Sequence, residues 1–422
     1  MQRLPSFFLA VVAILLVCTA PRSAEAYSVL AHEALIDSAW EDAIAPMLRE
    51  RFPAASESQI LKARAYAYGG SVIQDLGYYP FGSHFFTNLL HYVRSGDFIE
   101  AMVRNASDVY EHAFALGALA HYAADVTGHA VAVNRAVPLI YPKLRARFGD
   151  EVTYADDPKR HIMVEFAFDV VHVAGSGYVP ATYSDFVGFE VSEPLLARAF
   201  HDTYGLNLRE VFSDVDLAIN TYRFTVSKLI PDVTRLAWRE KQDDIVKSRP
   251  DALERTFVYS LTRQDYEGQF GTHYRKPGLL ARFIVFMVKV LPKIGPLSVL
   301  AFRLPTPEAQ KLFVESFVLV RQRYEQMLGM ARRDALNLRN VDFDTGRPTM
   351  PGEYARADEA YTELRERLAK KSPVEVPEGM RRDIVRFFEA HAAAPSQETT
   401  ATPRMFGAGT DPFQPAPSTT TA

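Results

Sequence analysis

HYAADVTGH, residues 121–129, sets His121, Asp125 and His129 four residues apart. At about 100° per residue the three side chains span an arc of about 80°, one stripe of an α-helix. At about 1.5 Å rise per residue the two histidines stand about 12 Å apart along the axis, too far to share one ion comfortably. Asp125 lies between them, and its two oxygens suit a bridge, so helix geometry favours a site with more than one metal. The flanks, FALGALA before and AVAV after, make this one of the most buried helices expected in the chain. A buried His-Asp-His stripe without partners is costly, which argues against an incidental solvated face.

Outward from this stripe the periodicity stays helical. SVLAHEALIDSAWEDAIAPMLRERF, DFIEAMVRNASDVYEHAFALGALAHYAAD and PKRHIMVEFAFDVVHVA place apolar residues three and four apart. Asp97, after Ser95 and Gly96, is a plausible N-cap. EPLLARAFHDTYG, SDVDLAINTYRFTVSKLI and PEAQKLFVESFVLVRQRYEQMLGMARR continue the pattern beyond residue 181. Alternating strand patterns are scarce, so the fold class is all-α. The polar stretch 337–376, with the turn signals DTGRP and MPGEY, reads as a weakly packed connector, and Pro377 to Ala392 as one more short helix. The last thirty residues, rich in Ala, Pro, Ser and Thr, read as a disordered tail.

The chain has 422 residues, 48% apolar, with a net charge of −4, so its bulk balance does not mark a nucleic-acid binder. Arg3 followed by the apolar run Phe7–Cys18 reads as a secretory signal, and Ala24-Glu25-Ala26 as its cleavage site, giving a mature start at Tyr27. The sole cysteine, Cys18, lies inside that signal, so a Cys-ligated zinc site is excluded from the mature chain. Secretion or a periplasmic location follows. Lipid anchoring at Cys18 is the less favoured alternative, because Val17 before it is bulky for such a site. The expected divisions are a signal at 1–26, a helical domain carrying the His-Asp-His stripe at 27–240, further helices at 241–392 and the tail at 393–422.

Eight of the eleven histidines lie between His32 and His172. His161 and Glu165 share one face of HIMVE and suit one ion with a further ligand, and Asp169 extends that stripe. Asp75 sits in the loop GGSVIQDLGYYPFG, followed by His84 and His91. His32 lies five residues after Tyr27, whose free amine and carbonyl can chelate an ion that His32 also reaches. His112 points to the face opposite His121; it and His172, His201, His273 and His391 read as structural. Tyr78-Tyr79-Pro80-Phe81 reads either as cleft lining or as core.

YSVLAH, the Asp75 loop, HYVRSGD, HYAADVTGH and HIMVE stand in an order that resembles the zinc-dependent phospholipase C and single-strand nuclease superfamily. The similarity covers roughly residues 27–175, and the His-x3-Asp-x3-His spacing is closest to the glycosylphosphatidylinositol-specific phospholipase D relatives. It implies an all-helical domain holding three zinc ions in a cleft. By this resemblance Asp75, His91, His121 and Asp125 hold the first zinc. Tyr27 and His32 hold the second, with Asp125 bridging, and His129, His161 and Glu165 hold the third. His91 is chosen over His84 because its distance from Asp75 is nearer the family spacing. Tyr27 replaces a tryptophan found in the phospholipases C and nucleases, and the region after about residue 180 has no counterpart in those compact enzymes.

Three dications would attract an anionic phosphodiester and activate a water for in-line attack, with Asp75 as candidate general base. No GxSxG nucleophile elbow occurs. The expected substrate is a phospholipid, with peripheral contact at a membrane surface and no protein partner. Gly278–Phe302 is the most apolar stretch of the mature chain; Arg282, Lys289, Lys293, Pro292 and Pro296 spoil it as a spanning helix, leaving an interfacial segment or a kinked pair of core helices. Nucleic acid is the substrate under the nuclease alternative, and a non-catalytic metal-stabilised surface protein is the third reading.

Overall fold

The computed structural model describes residues 29–173, 189–226, 301–372 and 376–393, with single positions between 230 and 247. The expected signal segment, Tyr27, most of Gly278–Phe302 and the tail from 394 lie outside the described residues, as do the side chains of His172, His273 and His391. Among the described residues the structure is all-α, with one isolated antiparallel bridge, Val341 to Pro348, and no strand.

The centre of the fold is helix α6, Val109–Gly128, capped at its start by the Asp108 carboxylate, which accepts from the Tyr110 and Glu111 amides. Of its residues only Tyr110 is not buried. Such a helix can be apolar all round only when neighbours cover every side. Helix α3, Glu57–Gly70, begins with a capping box at Ser56 and Gln59 and packs along one side of α6. The approach is set by two glycines. A Cβ on Gly117 would stand 2.0 Å from the Ala67 carbonyl, and one on Gly70 would stand 2.0 Å from the Phe114 carbonyl. No larger residue fits at that crossing. Helix α13, Pro307–Arg332, packs against α6 from elsewhere, with Tyr324 Oη donating to Leu116 O at 2.9 Å.

Helix α1, Val29–Ala39, also lies against α6. Its first amides go to a distant partner: Leu30 and Ala31 N–H donate to the Asp169 carboxylate at 3.0 and 3.1 Å. Asp169 opens the wide turn Asp169–Val173 that ends α9, Pro158–Phe168. It therefore satisfies orphan donors at a helix start rather than extending the metal stripe. After α3 the chain makes the tight turn Ile73–Tyr78, which carries Asp75, and enters α4, His84–Tyr92.

Two expectations change. Helix α5 spans Ser95–Asn105, preceded by Arg94 in the left-handed conformation at φ 49°. Asp97 thus sits in its first turn and does not cap it. Its carboxylate takes the Arg94 guanidinium at 2.6 Å and its own amide donates to Asn340 at 3.0 Å. The stretch 337–376 is not a weakly packed connector. Val341, Asp342, Phe343 and Asp344 are buried, and 355–368 forms an amphipathic helix, α14 (Ala355–Leu368), packed on α4. Its polarity misled because its acidic side chains Asp342 and Asp344 are spent on internal partners. The final helix, α15, spans Glu378–Ala393.

Candidate metal centre

Three segments converge on α6. From α1 comes His32, from the Ile73–Tyr78 turn Asp75, from the end of α4 His91, and from α6 itself His121 and Asp125. All five are buried. The His32 and His121 rings stack with centroids 4.4 Å apart. Asp125 divides its oxygens: Oδ1 lies 3.4 Å from His32 Nε2, while Oδ2 lies 3.0 Å from His121 Nε2 and 3.5 Å from His91 Nε2. Asp75 Oδ1 faces the same pair, 3.3 Å from His91 Nε2 and 4.0 Å from His121 Nε2. His32, His121 and Asp125 form one group able to hold a cation, and Asp75, His91 and His121 a second.

A third such group lies beyond the last full turn of α6. His129 opens the wide helical turn His129–Val133, the kind of register change that recurs at functional sites. Its Nε2 is 3.7 Å from Glu165 Oε1, and the His129 and His161 rings meet edge to face at 5.1 Å. On α9, His161 Nδ1 lies 2.7 Å from Glu165 Oε1. Asn134 Nδ2 donates to the Asp344 carbonyl at 2.7 Å, so its Oδ1 is an acceptor for His161 Nε2–H at 2.9 Å. That leaves the His161 Nδ1 lone pair facing a carboxylate oxygen, an arrangement that needs a proton or a cation beside it.

The histidines are anchored in a common way. His91 Nδ1 donates to Thr87 O at 2.9 Å, His121 Nδ1 to Ser71 O at 2.9 Å, and His129 Nδ1 to Phe343 O at 3.0 Å. Each Nε2 is then turned inward, towards the carboxylates, as ligating histidines are held by their outer hydrogen bonds. The Gly70–Gly117 crossing is what brings Ser71 O within reach of His121. No hydrogen bond reaches His121 Nε2, His129 Nε2 or any carboxylate oxygen of Asp75 and Asp125, although these atoms are buried. Buried polar atoms of this kind are ordinarily satisfied, so their concentration here fits a site built for cations.

Burial and the neighbouring His121 lower the His32 pKa to about 3, and burial with His129 beside it lowers His161 to about 3. Both rings are therefore neutral, as ligation requires. Burial opposes ionisation of Asp125, but the histidines around it hold its carboxyl well below the usual range. Burial raises Asp75, against the pull of His121 and His91. His91 moves up to about 10: burial works against its charged form, and the Asp125 and Asp75 carboxylates outweigh it.

Every sequence-predicted ligand except Tyr27, which lies outside the described residues, falls in these groups. His84 is exposed, beside Tyr78 at 5.8 Å. His112 is buried on the far side of α6, against Phe52 at 5.9 Å, and His201 is exposed on α10, Glu193–Tyr204. The aromatic run divides its roles: Tyr78 edges onto His91 at 6.2 Å, Tyr79 packs on Tyr222 at 5.1 Å, and Phe81 is exposed with a left-handed φ of 66°.

Sequence reasoning missed the segment 341–346. Phe343 N donates to His91 O at 3.1 Å, and the Phe343 ring lies 4.9 Å from His91 and 6.0 Å from His121. Asp344 Oδ1 stands 3.4 Å from His129 Nδ1, while Asp344 Oδ2 accepts from Tyr92 Oη at 2.8 Å and from Tyr354 Oη. The loop closes on α6 at Gly346, φ 67°, where a Cβ would stand 2.5 Å from Val126 O. The only signal was the apolar–acidic alternation Val341-Asp342-Phe343-Asp344 in a polar stretch.

Residues 31–214 match the family model described as zinc-dependent phospholipase C. No curated protein and no solved structure matches the chain. The match ends well before Phe343 and Asp344, which nonetheless wall the centre. Among the described residues no helix is long and apolar enough to cross a membrane.

Proposed function

We propose, from the premise that residues 31–214 belong to the zinc-dependent phospholipase C family, that the protein is a secreted phosphodiester hydrolase acting on phospholipid. The observation that supports this best is the Asp125 carboxylate, whose two oxygens face different histidines while His91, His121 and His129 are each pinned through Nδ1 to a main-chain carbonyl. His91, His121, Asp75 and Asp125 would hold one zinc, His32 with Asp125 and the Tyr27 amine a second, and His129, His161 and Glu165 a third. Zinc bound there would polarise the phosphoryl group and lower the pKa of a water towards neutrality.

The chain's own groups complete the chemistry. Asp75 Oδ1 is turned to the histidines, and Oδ2 accepts the proton of the attacking water. The water oxygen bonds to phosphorus as the bond from phosphorus to the leaving alkoxide breaks, and the alkoxide takes up the proton that Asp75 accepted. The buried walls, Phe343 above all, keep bulk water from the histidines. Tyr78 and the exposed Phe81 stand at the edge, suited to an apolar acyl or glycerol portion.

The test is direct. Zinc-loaded protein is given a phosphatidylcholine dispersion and, separately, single-stranded DNA, each with and without chelator. Chelator-sensitive release of headgroup or phosphorylated headgroup supports the proposal. Hydrolysis of DNA alone, or of neither, overturns it.

A further inference from the structure

Arg356 is the second residue of α14, from the part of the chain beyond the family match. Its guanidinium lies 4.6 Å from the centroid of the Tyr154 ring, and Tyr154 meets the metal-site His161 edge to face at 5.8 Å. Its other neighbours belong to the same wall. It acts electrostatically on the hydroxyls of Tyr78, Tyr92 and Tyr354 and on Asp344. Tyr78 in turn edges onto His91, and Asp344 onto His129. Arg356 therefore lies against the tyrosine wall of the centre, one ring removed from His161.

This cation is half-buried, and Nε is buried without a hydrogen bond. Among the described residues its guanidinium forms neither a hydrogen bond nor an ion pair; Asp344, the nearby carboxylate, is engaged by two tyrosine hydroxyls. The Nε–H donor is buried without an acceptor, which is costly to leave unmet. A cation in the first turn of a helix also opposes the helix dipole. The Tyr154 ring offsets part of this cost but leaves the Nε–H donor without an acceptor. A guanidinium one tyrosine ring removed from a cluster of candidate metal ligands suits one class of ligand, a tetrahedral oxyanion that offers oxygens to the fork and others to the metals.

We propose that Arg356 is a phosphate-anchoring residue of the substrate site, pairing with a non-bridging oxygen of the phosphodiester. The inference rests on the phosphodiesterase reading above. It adds that the segment after residue 214 supplies part of substrate binding, not only a wall.

The experiment compares wild type, Arg356→Gln and Arg356→Lys as full-length, zinc-loaded protein. Inorganic phosphate binding is measured by calorimetry, zinc content by elemental analysis, and kcat and KM on phosphatidylcholine. Arg356→Gln is expected to weaken phosphate binding roughly ten- to hundredfold, the loss of a charge-assisted pair. Arg356→Lys, which keeps the charge without the fork, falls between. Zinc content stays at the wild-type value, and KM rises more than kcat falls. Phosphate affinity within twofold of wild type in both variants overturns the proposal. So does a loss of zinc in parallel with phosphate, which marks a structural role, and so does a wild type that binds no phosphate. Should Arg356→Gln fail to fold, Arg356→Lys alone decides by the same criteria. If phosphate binding responds as expected but no phospholipid is cleaved, the anchor stands and the enzymatic reading falls; if phospholipid is cleaved and phosphate binding ignores Arg356, the reverse holds.

Discussion

Asp344→Asn separates a merely covering loop from one that tunes the metal centre. The substitution keeps shape and removes one negative charge from a buried point 3.4 Å from His129 Nδ1. Neighbours of ligating histidines typically contribute ten- to hundredfold to metal affinity, or about 1.4–2.8 kcal/mol. The lower end applies here, because the bond from His129 Nδ1 to Phe343 O at 3.0 Å survives and still fixes the tautomer. Tyr92 and Tyr354 retain an oxygen to donate to, so packing is preserved. The expected outcome in a chromophoric-chelator competition is one class of zinc lost about tenfold more readily, the class held by His129, His161 and Glu165. The remaining zinc and the near-ultraviolet circular dichroism stay unchanged. Zinc release indistinguishable from wild type would refute the reasoning, as would equal weakening of every zinc, which would mean that the variant had loosened the whole fold.

Gly117→Ala places a Cβ 2.0 Å from Ala67 O and must push α3 from α6; urea unfolding should show a loss of about 1–3 kcal/mol or more, together with weaker zinc retention as Ser71 O leaves His121. A fully stable variant would mean that the crossing is not tight. The metal-free protein should also carry a defined pH signature. Burial holds His32 and His161 near 3 and His112 near 4, all below the usual 6.5, so between those values only the unfolded chain binds their protons. Stability is then full above about 6.5 and lost as pH falls towards 3. His91, raised to about 10, runs the other way: its contribution is full below about 6.5 and lost as pH rises through 10. Chemical denaturation in chelator should therefore give a midpoint that peaks near pH 6.5, and a flat profile between pH 4 and 6.5 would count against these histidines being held neutral.

The helices were legible because their signals are local. A three-to-four residue apolar period and a fixed spacing of His121, Asp125 and His129 need only the 3.6-residue turn to be read. The placement of His32, Asp75, His91, His161 and Glu165 in three groups was expected through family resemblance, since no single spacing brings five segments together. Asp344 and Arg356 were not legible, for a physical reason. Asp344 meets Asn134 and Tyr92 across 210 and 252 positions of sequence, Arg356 packs on the distant Tyr154, and a polar stretch with turn residues looks the same whether its carboxylates face water or a buried histidine. Asp97 failed in a similar way: its amide and carboxylate were claimed by Asn340 and Arg94, and only the fold reveals such competition.

These long-range partners bear on how the centre is held together. The family-matching region supplies the ligand groups of the described residues, yet its histidines are not fixed by that region alone. His129 takes its tautomer from Phe343 O, Asn134 is oriented by Asp344 O, and the His91 carbonyl is engaged by the Phe343 amide. Asn134 in turn orients His161. Each of these bonds fixes the direction of a lone pair, which is what a metal discriminates, whereas burial alone fixes only its surroundings. A compact helical domain could bury the same residues by packing other side chains over them. Here a loop from more than two hundred residues along the chain sets the direction of two candidate ligand histidines, so the proposed third metal group and the position of Arg356 are coupled through one segment, 341–356.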